Sequence, residues 1–382
     1  MVHRKRILHI GPLPPPIGGM ASHVEQYLRS DVAKTFDIIQ VNSDLIGKLS
    51  RRGVMRIIMN LANAVLLPFV VVWRIVLKRP SVVHICTNSF GGFYEKGVLG
   101  IVARLLGRRV VMHIHGGGFG KFHANSSRLG KWMIRRLLFM SHRIAVLSEQ
   151  MQETVLAIGM PQERIRIIEN AVLVPKASIW DNARDKSKPP DNPAPAAVTV
   201  IFLNRINIEK GVKEFIGAAG DICRENSQIQ CLMYGPETAI CQELRSEIDG
   251  MNMSGQIKLP GAVTGPEKED AYMSADIYVL PSHVEGMPVG LLEAMSYGLP
   301  CIASSVGGIP SVIDHRVNGV LIEPQDTAGL RNALTTLIAD PALRRSLGTQ
   351  ARKTVETKFS WRGSARKFVS MYNELIFEKE TA

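Results

Sequence analysis

Two carboxylates separated by seven residues, Glu285 and Glu293, bracket the segment Gly286-Met287-Pro288-Val289-Gly290 in this 382-residue chain. The apolar run Asp276 to Leu280 precedes the first acid, so Glu285 falls in a turn at the end of a strand. Pro288 suits a helix start, because its missing N–H needs no partner there. Such a start offers the N–H groups of Val289 and Gly290, and a partial positive charge, to an anion. Gly286 leaves room for a ligand to approach the backbone. Glu293 then falls one to two turns into the helix. The constellation reads as a phosphate cradle flanked by two acids, suited to a molecule that is part phosphate and part polyol. The plain alternative is a pair of solvated carboxylates near a helix N-terminus.

Two cations have a matching reading. Arg205 and Lys210 lie five residues apart, after one apolar run and before a helix-like one. Preorganised cations there would neutralise charge on a departing phosphate. As surface residues at a helix start, the alternative, they would oppose the helix dipole unless an anion were present. In the first half of the chain, Gly18 and Gly19 end a proline-rich loop and open a helix, where two glycines allow close approach to phosphate. They do not form the G-x-G-x-x-G fingerprint, and a tight strand–helix turn remains the alternative. His115 ends a strand before Gly116-Gly117-Gly118, a setting for close contact with a sugar. His113 alternates with Met112 and Ile114, reads as structural, and could face the other side of the sheet.

These residues need strand ends to hold them. Apolar runs predict strands at Arg6–Gly11, Asp37–Asn42, Ser81–Cys86, Arg109–Ile114, His142–Leu147 and Arg164–Ile168, with helix-like stretches between, such as Met20–Ser30, Gly91–Leu106 and Arg128–Met140. Strand–helix alternation with near-continuous apolar strands predicts a parallel, doubly wound sheet. A proline-rich polar stretch, 181–197, reads as a linker or surface loop. The pattern restarts with strands at Val198–Asn204, Gln228–Tyr234, Gln256–Leu259, Asp276–Leu280, Pro300–Ala303 and Val320–Ile322. A final amphipathic helix, Trp361–Lys379, carries Phe368, Met371, Tyr372 and Leu375 on one face. Open α/β sheets bind ligands at the carboxyl ends of their strands, where the motifs of both halves gather.

The bulk numbers bound the partners. The length is comfortable for two domains, and an apolar fraction of 46% indicates a globular protein. Five cysteines without C-x-x-C spacing point to reduced, mostly buried thiols, a cytosolic setting and no zinc site. The apolar run near the N-terminus is too short for a secretory signal. Residues 1–170 hold 24 Lys and Arg against 9 Asp and Glu, a balance of +15, whereas residues 171–382 hold 22 against 25, a balance of −3. A basic first half calls for an anionic partner. No nucleic-acid motif accompanies the charge, so nucleic acid is not expected; an anionic membrane surface or a phosphorylated acceptor fits better. The segment 57–77 carries Arg74 as its one charge and is long enough to span a bilayer. Predicted strands on both sides make it instead the crossover helix of a βαβ unit, either buried or with an outer face dipping into a membrane.

The stretch from Pro281 to Pro300 resembles the signature of retaining glycosyltransferases of family 4, the group 1 glycosyl transferases. The likeness continues through Gly307-Gly308-Ile309-Pro310, Asn318-Gly319 and Pro324-Gln325-Asp326, and upstream through Gly11 to Gly19, Asn204 to Gly211, Tyr234-Gly235-Pro236 and Gly261-Ala262-Val263. It implies the GT-B fold: two doubly wound, Rossmann-like domains facing a cleft, with the C-terminal helix crossing back to the first. Expected bounds are 1–180 with 361–382 for the acceptor domain and 198–360 for the nucleotide-sugar domain. The resemblance implies that Arg205 and Lys210 meet the leaving diphosphate, Glu293 holds the ribose hydroxyls, Glu285 sits at the donor sugar, and His115 lies near donor and acceptor. Gly18, Gly19 and the 286–290 segment would complete the donor site. Transfer on one face of the sugar, with the donor phosphate taking the acceptor proton, needs no protein base. No D-x-D follows a strand, so metal-independent activity is expected, with no cofactor. The setting implied is cytoplasmic, peripheral on the inner membrane face, in cell-surface polysaccharide or glycolipid assembly. Asn204 stands where a glycine is usual, Ser311 where an acid is usual, and Asn170-Ala171-Val172-Leu173 replaces Asn-Gly-Val-Asp. The alternatives are a nucleotide-sugar 2-epimerase of the same fold and a non-catalytic sugar-nucleotide-binding subunit.

Overall fold

The structure, a computed structural model, describes residues 4–14, 18–45, 54–176 and 197–377. The chain divides into two compact units, Met1–Ala171 with Trp361–Ala382, and Val172–Ser360.

The first unit is built on β1 (Arg6–Gly11), β2 (Asp37–Asn42), β3 (Val82–Thr87), β4 (Arg109–Ile114), β5 (Arg143–Val146) and β6 (Ile165–Ile167). All pairs are parallel, in the order β2-β1-β3-β4-β5-β6. Every residue of β3 is buried, as the unbroken apolar runs of a two-sided parallel sheet require. Between the strands run α1 (Gly19–Arg29), α2 (Asp31–Thr35), α3 (Val54–Lys78), α4 (Gly91–Leu105), α5 (Phe119–Ala124), α6 (Arg128–Phe139) and α7 (Glu149–Ala157). Serine hydroxyls accept from backbone amides at the starts of three of them: Ser30 from Val32, Ser127 from Gly130 and Ser148 from Met151. The strand order reverses between β1 and β3, so their carboxyl ends frame this sheet's ligand crevice. The expected crossover over 57–77 is the core of α3, which joins β2 to β3 and packs on β1 and α4.

The second unit carries β7 (Val198–Leu203), β8 (Ile229–Tyr234), β9 (Ile257–Gly261), β10 (Ile277–Leu280), β11 (Cys301–Ser304) and β12 (Val320–Ile322), with α8 (Val212–Glu225), α9 (Cys241–Gly250), α10 (Gly265–Ser274), α11 (Val289–Ser296), α12 (Thr327–Ala339) and α13 (Pro341–Lys358). Its parallel sheet runs β12-β11-β10-β7-β8-β9. The reversal lies between β7 and β10, whose carboxyl ends lead into Asn204 to Gly211 and Pro281 to Glu285. Doubly wound topology therefore brings the two motifs to one crevice.

The chain leaves the first unit at Ala171, earlier than the expected 180. Val172 N donates to Phe359 O (2.9 Å) and Arg352 Nη2 to Pro175 O (2.8 Å), tying 172–176 to the second unit. The expected linker, 181–197, lies outside the described residues except for Ala197. Past Ser360 the chain returns to the first unit as α14 (Trp361–Phe377). Trp361, Phe368, Met371, Tyr372 and Leu375 are buried there in one core with Ile7, Tyr27, Phe36, Val82 and Val111. At about 1.5–3 kcal/mol per large apolar side chain, this stripe holds the helix on the first sheet.

Candidate active site

Glu285 is only 7% exposed, an expensive place for a carboxylate unless it is paired. Lys210 Nζ lies 2.6 Å from its Oε1, and Ser282 Oγ donates to the same oxygen at 2.8 Å. Local structure sets up both partners. Asn207 Oδ1 accepts from Lys210 N (3.1 Å), closing a 3-10 turn over Ile208–Lys210. Gly211 follows at φ +70°, so close to β10 that a Cβ would lie 1.9 Å from Pro281 O. Only glycine allows that approach, and it sets the Lys210 turn against the end of β10.

The loop holding Glu285 is braced from behind. Gly308 N donates to Gly286 O at 2.6 Å, and a Cβ on Gly307 (φ +56°) would lie 1.9 Å from Glu285 O. Ser311, standing where an acid is usual, turns its hydroxyl back to Gly308 O (2.7 Å) and stabilises this brace. Four residues after Glu285, α11 begins with Pro288 as its N-cap and no side-chain cap. The first amides, those of Val289, Gly290 and Leu291, have no partner within their own helix. The side chains of Met287 and Val289 are buried, so these residues can serve a ligand only through backbone.

Glu293, on α11, meets Lys268 Nζ at 2.6 Å and accepts from Tyr272 OH at 3.1 Å. Burial, reinforced by the Glu293 charge, pushes the Tyr272 phenol well up, so it serves only as a neutral donor. Arg205 follows β7 with its side chain exposed. Asn204, in place of the usual glycine, accepts from Arg205 N at 2.7 Å and stabilises the turn. Of the expected second-unit residues, the structure pairs Lys210 directly with Glu285 and holds Glu293 separately through Lys268 and Tyr272. Sequence reasoning missed Ser282, Lys268 and Tyr272. A serine three residues before an acid was the one legible signal.

The first unit carries Gly18, Gly19 and His115. Gly18 is the N-cap of α1, again without a side-chain cap, and Gly19 opens the helix. His115 N donates to Thr87 O (2.8 Å), and a Cβ on Gly116 would lie 2.4 Å from Ser89 Oγ, so the glycine run packs on the end of β3. The His115 ring contacts His113 (centroids 4.1 Å apart) and His23 (4.9 Å). His113 thus shares the face of His115, contrary to the expectation that it could face the other side. Side chains two apart on a strand point the same way.

Behind these rings lies a polar chain in an otherwise apolar core. Tyr27 OH and Tyr372 OH are 3.0 Å apart, Tyr372 OH is 2.9 Å from His84 Nδ1, and His84 Nε2 is 3.3 Å from His113 Nδ1. Desolvation drives all these imidazoles to the neutral form: His9 is lowered to about 4, and His23, His84 and His113 well below their ordinary value. His115 is lowered to about 3 by burial and by His9, against an opposing hydrogen bond to Asn170. At neutral pH it can donate or accept one hydrogen bond but carries no charge. Two donor groups here could hold a metal ion, His23 with His113 and His115, and His9 with His84 and Cys86. In the second, Tyr372 and His113 already engage both His84 nitrogens. All five cysteines are buried and free.

A buried acid locked to a lysine at the switch point, ahead of an uncapped helix start, is an arrangement for holding an anionic ligand. The profile described as "Glycosyl transferases group 1" matches residues 183–354, and "Glycosyl transferase 4-like domain" matches residues 44–171. Two doubly wound units of this kind form the GT-B fold. Sucrose-phosphate synthase from Thermosynechococcus elongatus shares it at a TM-score of 0.77 and 20% identity, over 98% of this chain and 100% of that one. HepE from Anabaena, solved in complex with UDP-glucose, shares it at 0.73 and 17%, over 97% and 99%. The chain belongs to the group 1 glycosyltransferases, a family of sugar-transferring enzymes. It is 27% identical over 330 residues to the amylovoran biosynthesis glycosyltransferase AmsK of Erwinia amylovora, covering 82% of this chain and 75% of that one. It is 26% identical over 264 residues to a glycosyltransferase of Methanocaldococcus jannaschii, covering 67% of this chain and 66% of that relative, just under two thirds of its length.

Proposed function

We propose that this protein transfers a sugar from a nucleoside diphosphate sugar to an acceptor hydroxyl, with retention at the anomeric carbon. The acceptor is lipid-linked or otherwise anionic and is met at the cytoplasmic face of a membrane, in cell-surface polysaccharide or glycolipid assembly. The observation that carries this reading is Lys210, held 2.6 Å from buried Glu285 just ahead of the uncapped start of α11. HepE, of the same fold, binds UDP-glucose, and AmsK is named for polysaccharide biosynthesis. The basic first half supports an anionic acceptor.

In this reading the bond from the anomeric carbon to the phosphate oxygen breaks, and its electron pair leaves with the diphosphate. Lysine has three N–H donors, so Lys210 can keep one on Glu285 and offer two to phosphate. With Arg205 and the amides of Val289 and Gly290, it meets the developing charge and takes the part a metal ion could play. The acceptor oxygen attacks from the face the diphosphate leaves, and its proton passes to the departing phosphate. Glu285 faces the sugar hydroxyls and Glu293 holds the ribose.

Nucleotide release from a panel of UDP-, GDP- and ADP-sugars, without added metal and with or without a membrane lipid extract, tests this. Release from one donor that rises with lipid supports it. Donor binding without any release sinks it in favour of a binding subunit. Conversion of the donor sugar without any acceptor points to an epimerase.

A further inference from the structure

The helix α3 is apolar on both sides, but only one side is covered. Leu67, Val71 and Ile75, four residues apart, are fully buried as α3 packs on β1 and α4. The rest of its circumference carries large apolar side chains in the open: Leu61 is 67% exposed, Phe69 70% and Trp73 56%, with Ile58, Val65 and Val76 exposed beside them. A helix apolar all round belongs in a core or against lipid, and a contiguous run of open apolar side chains marks an interaction or membrane site.

The apolar surface continues sideways. The helix α4 packs against both α3 and α6. It exposes Val98 and Leu105, and α6 exposes Leu129, Trp132 and Met133. Cations border the aromatic rings, with the Arg74 guanidinium 5.0 Å from the Trp73 ring centre and that of Arg136 5.5 Å from Trp132. The sequences of α3, α4 and α6 carry nine basic residues and a single acid, Glu95, which is paired with the buried Lys96 at 2.8 Å.

We propose that the outward face of α3, α4 and α6 docks the first unit on an anionic lipid surface. Apolar side chains enter the interface, Trp73 and Trp132 sit at its polar boundary, and the arginines and lysines engage lipid phosphates. This deepens, and rests on, the reading of an acceptor met at a membrane. The helix α3 is long and apolar enough to span a bilayer. Spanning is nonetheless incompatible with the fold, because α3 connects β2 and β3, which run parallel in one sheet with only β1 between them. A second copy of this face is the wrong occupant on charge, since it would set two strongly basic surfaces against each other.

The test is co-sedimentation of the full chain with vesicles of mixed phosphatidylglycerol and phosphatidylcholine, and of phosphatidylcholine alone, at low and high salt. Two double variants are compared, L61D/F69D on α3 and W132A/R136S on α6; all these side chains are exposed, and thermal unfolding checks that the fold persists. The expected result is binding to the anionic vesicles that weakens with salt, falls at least about tenfold in L61D/F69D, and falls several-fold in W132A/R136S. Wild type that ignores anionic vesicles at low salt overturns the proposal, as does undiminished binding by L61D/F69D. A dimer in solution that L61D/F69D disperses, without vesicle binding, assigns the face to self-association instead. Wild-type-like binding by W132A/R136S removes α6 from the surface. Donor-dependent nucleotide release, measured with the lipid extract dispersed in detergent so that no vesicle surface is needed, separates the two readings: turnover without vesicle binding sinks docking alone, and vesicle binding without turnover sinks only the transferase reading.

Discussion

Lys210 Nζ and Glu285 Oε1 stand 2.6 Å apart although 75 positions separate them in the chain. The pair bridges the loops after β7 and β10, the two strands where the sheet order of the second unit reverses. A buried carboxylate thus fixes the cation expected to meet the donor phosphates.

Lys210→Ala should lower kcat about a hundredfold or more, the scale of losing one preorganised charge contact, about 2.7–4 kcal/mol. It also leaves Glu285 buried without its cation, which costs about 3 kcal/mol of stability. Glu285→Gln separates the two effects. It should melt near wild type, because Ser282 can still donate to the amide oxygen, yet lose turnover. Steady-state kinetics beside thermal unfolding checks this; wild-type kcat in either variant refutes the assignment.

Glu293→Gln should raise the donor KM about tenfold while changing kcat less, since a ribose contact is made equally in ground and transition states. The measurement is donor titration at saturating acceptor. An equal drop in kcat with unchanged KM would move Glu293 into the chemical step.

Gly307→Ala should impair activity without touching any ligand. Its Cβ would fall 1.9 Å from Glu285 O, and its φ of +56° disfavours a side chain. The Glu285 loop must shift, so donor affinity measured by calorimetry should fall together with Tm. Unchanged affinity would show that the brace does not position the site.

Tyr372→Phe removes the hydroxyl that joins Tyr27 and His84 in the core of the first unit. Leaving those buried groups without their partner should cost about 1–3 kcal/mol, a drop of several degrees in Tm. Calorimetry checks it, and a Tm equal to wild type would show the chain of rings to be energetically idle.

Stability should fall as pH drops below about 6.5. His9, His23, His84, His113 and His115 all have folded values lowered by burial, to about 4 for His9 and about 3 for His115. Unfolded imidazoles take up protons that the folded ones refuse, so the unfolded state binds more protons and stability rises with pH across this window. His9 and His115 each contribute a loss of up to about 1.4 kcal/mol per pH unit between 6.5 and their folded values, and His23, His84 and His113 act in the same direction. Melting followed by circular dichroism from pH 7.5 to 5 tests this; a constant Tm would refute it.

Much of the fold was legible along the chain. β1, β2, β4 and β12 fall where the apolar runs put them, and β3 lies one residue later than Ser81–Cys86. Buried parallel strands are short apolar runs, a local signal. The helix start at Val289 was legible for the same reason, because Pro288 acts through its own backbone. The partners of Glu293 were not. Lys268 and Tyr272 lie on α10, and nothing local distinguishes them from ordinary surface and core residues. The histidine chain was equally hidden, because His9, His84 and His113 meet only through the register of three parallel strands.

By itself the sequence determined the two alternating α/β halves, the uncapped helix start, the acids and cations of the second unit, and the basic excess of the first. All are properties of neighbouring residues or of composition. Tertiary structure alone decided that Glu285 pairs with Lys210, that Glu293 rests on Lys268 and Tyr272, that His84 meets His113, and which side of α3 is left open. Those contacts depend on strand order and crossovers, which bring residues tens of positions apart into hydrogen-bond reach or leave a face uncovered, and no local periodicity encodes them.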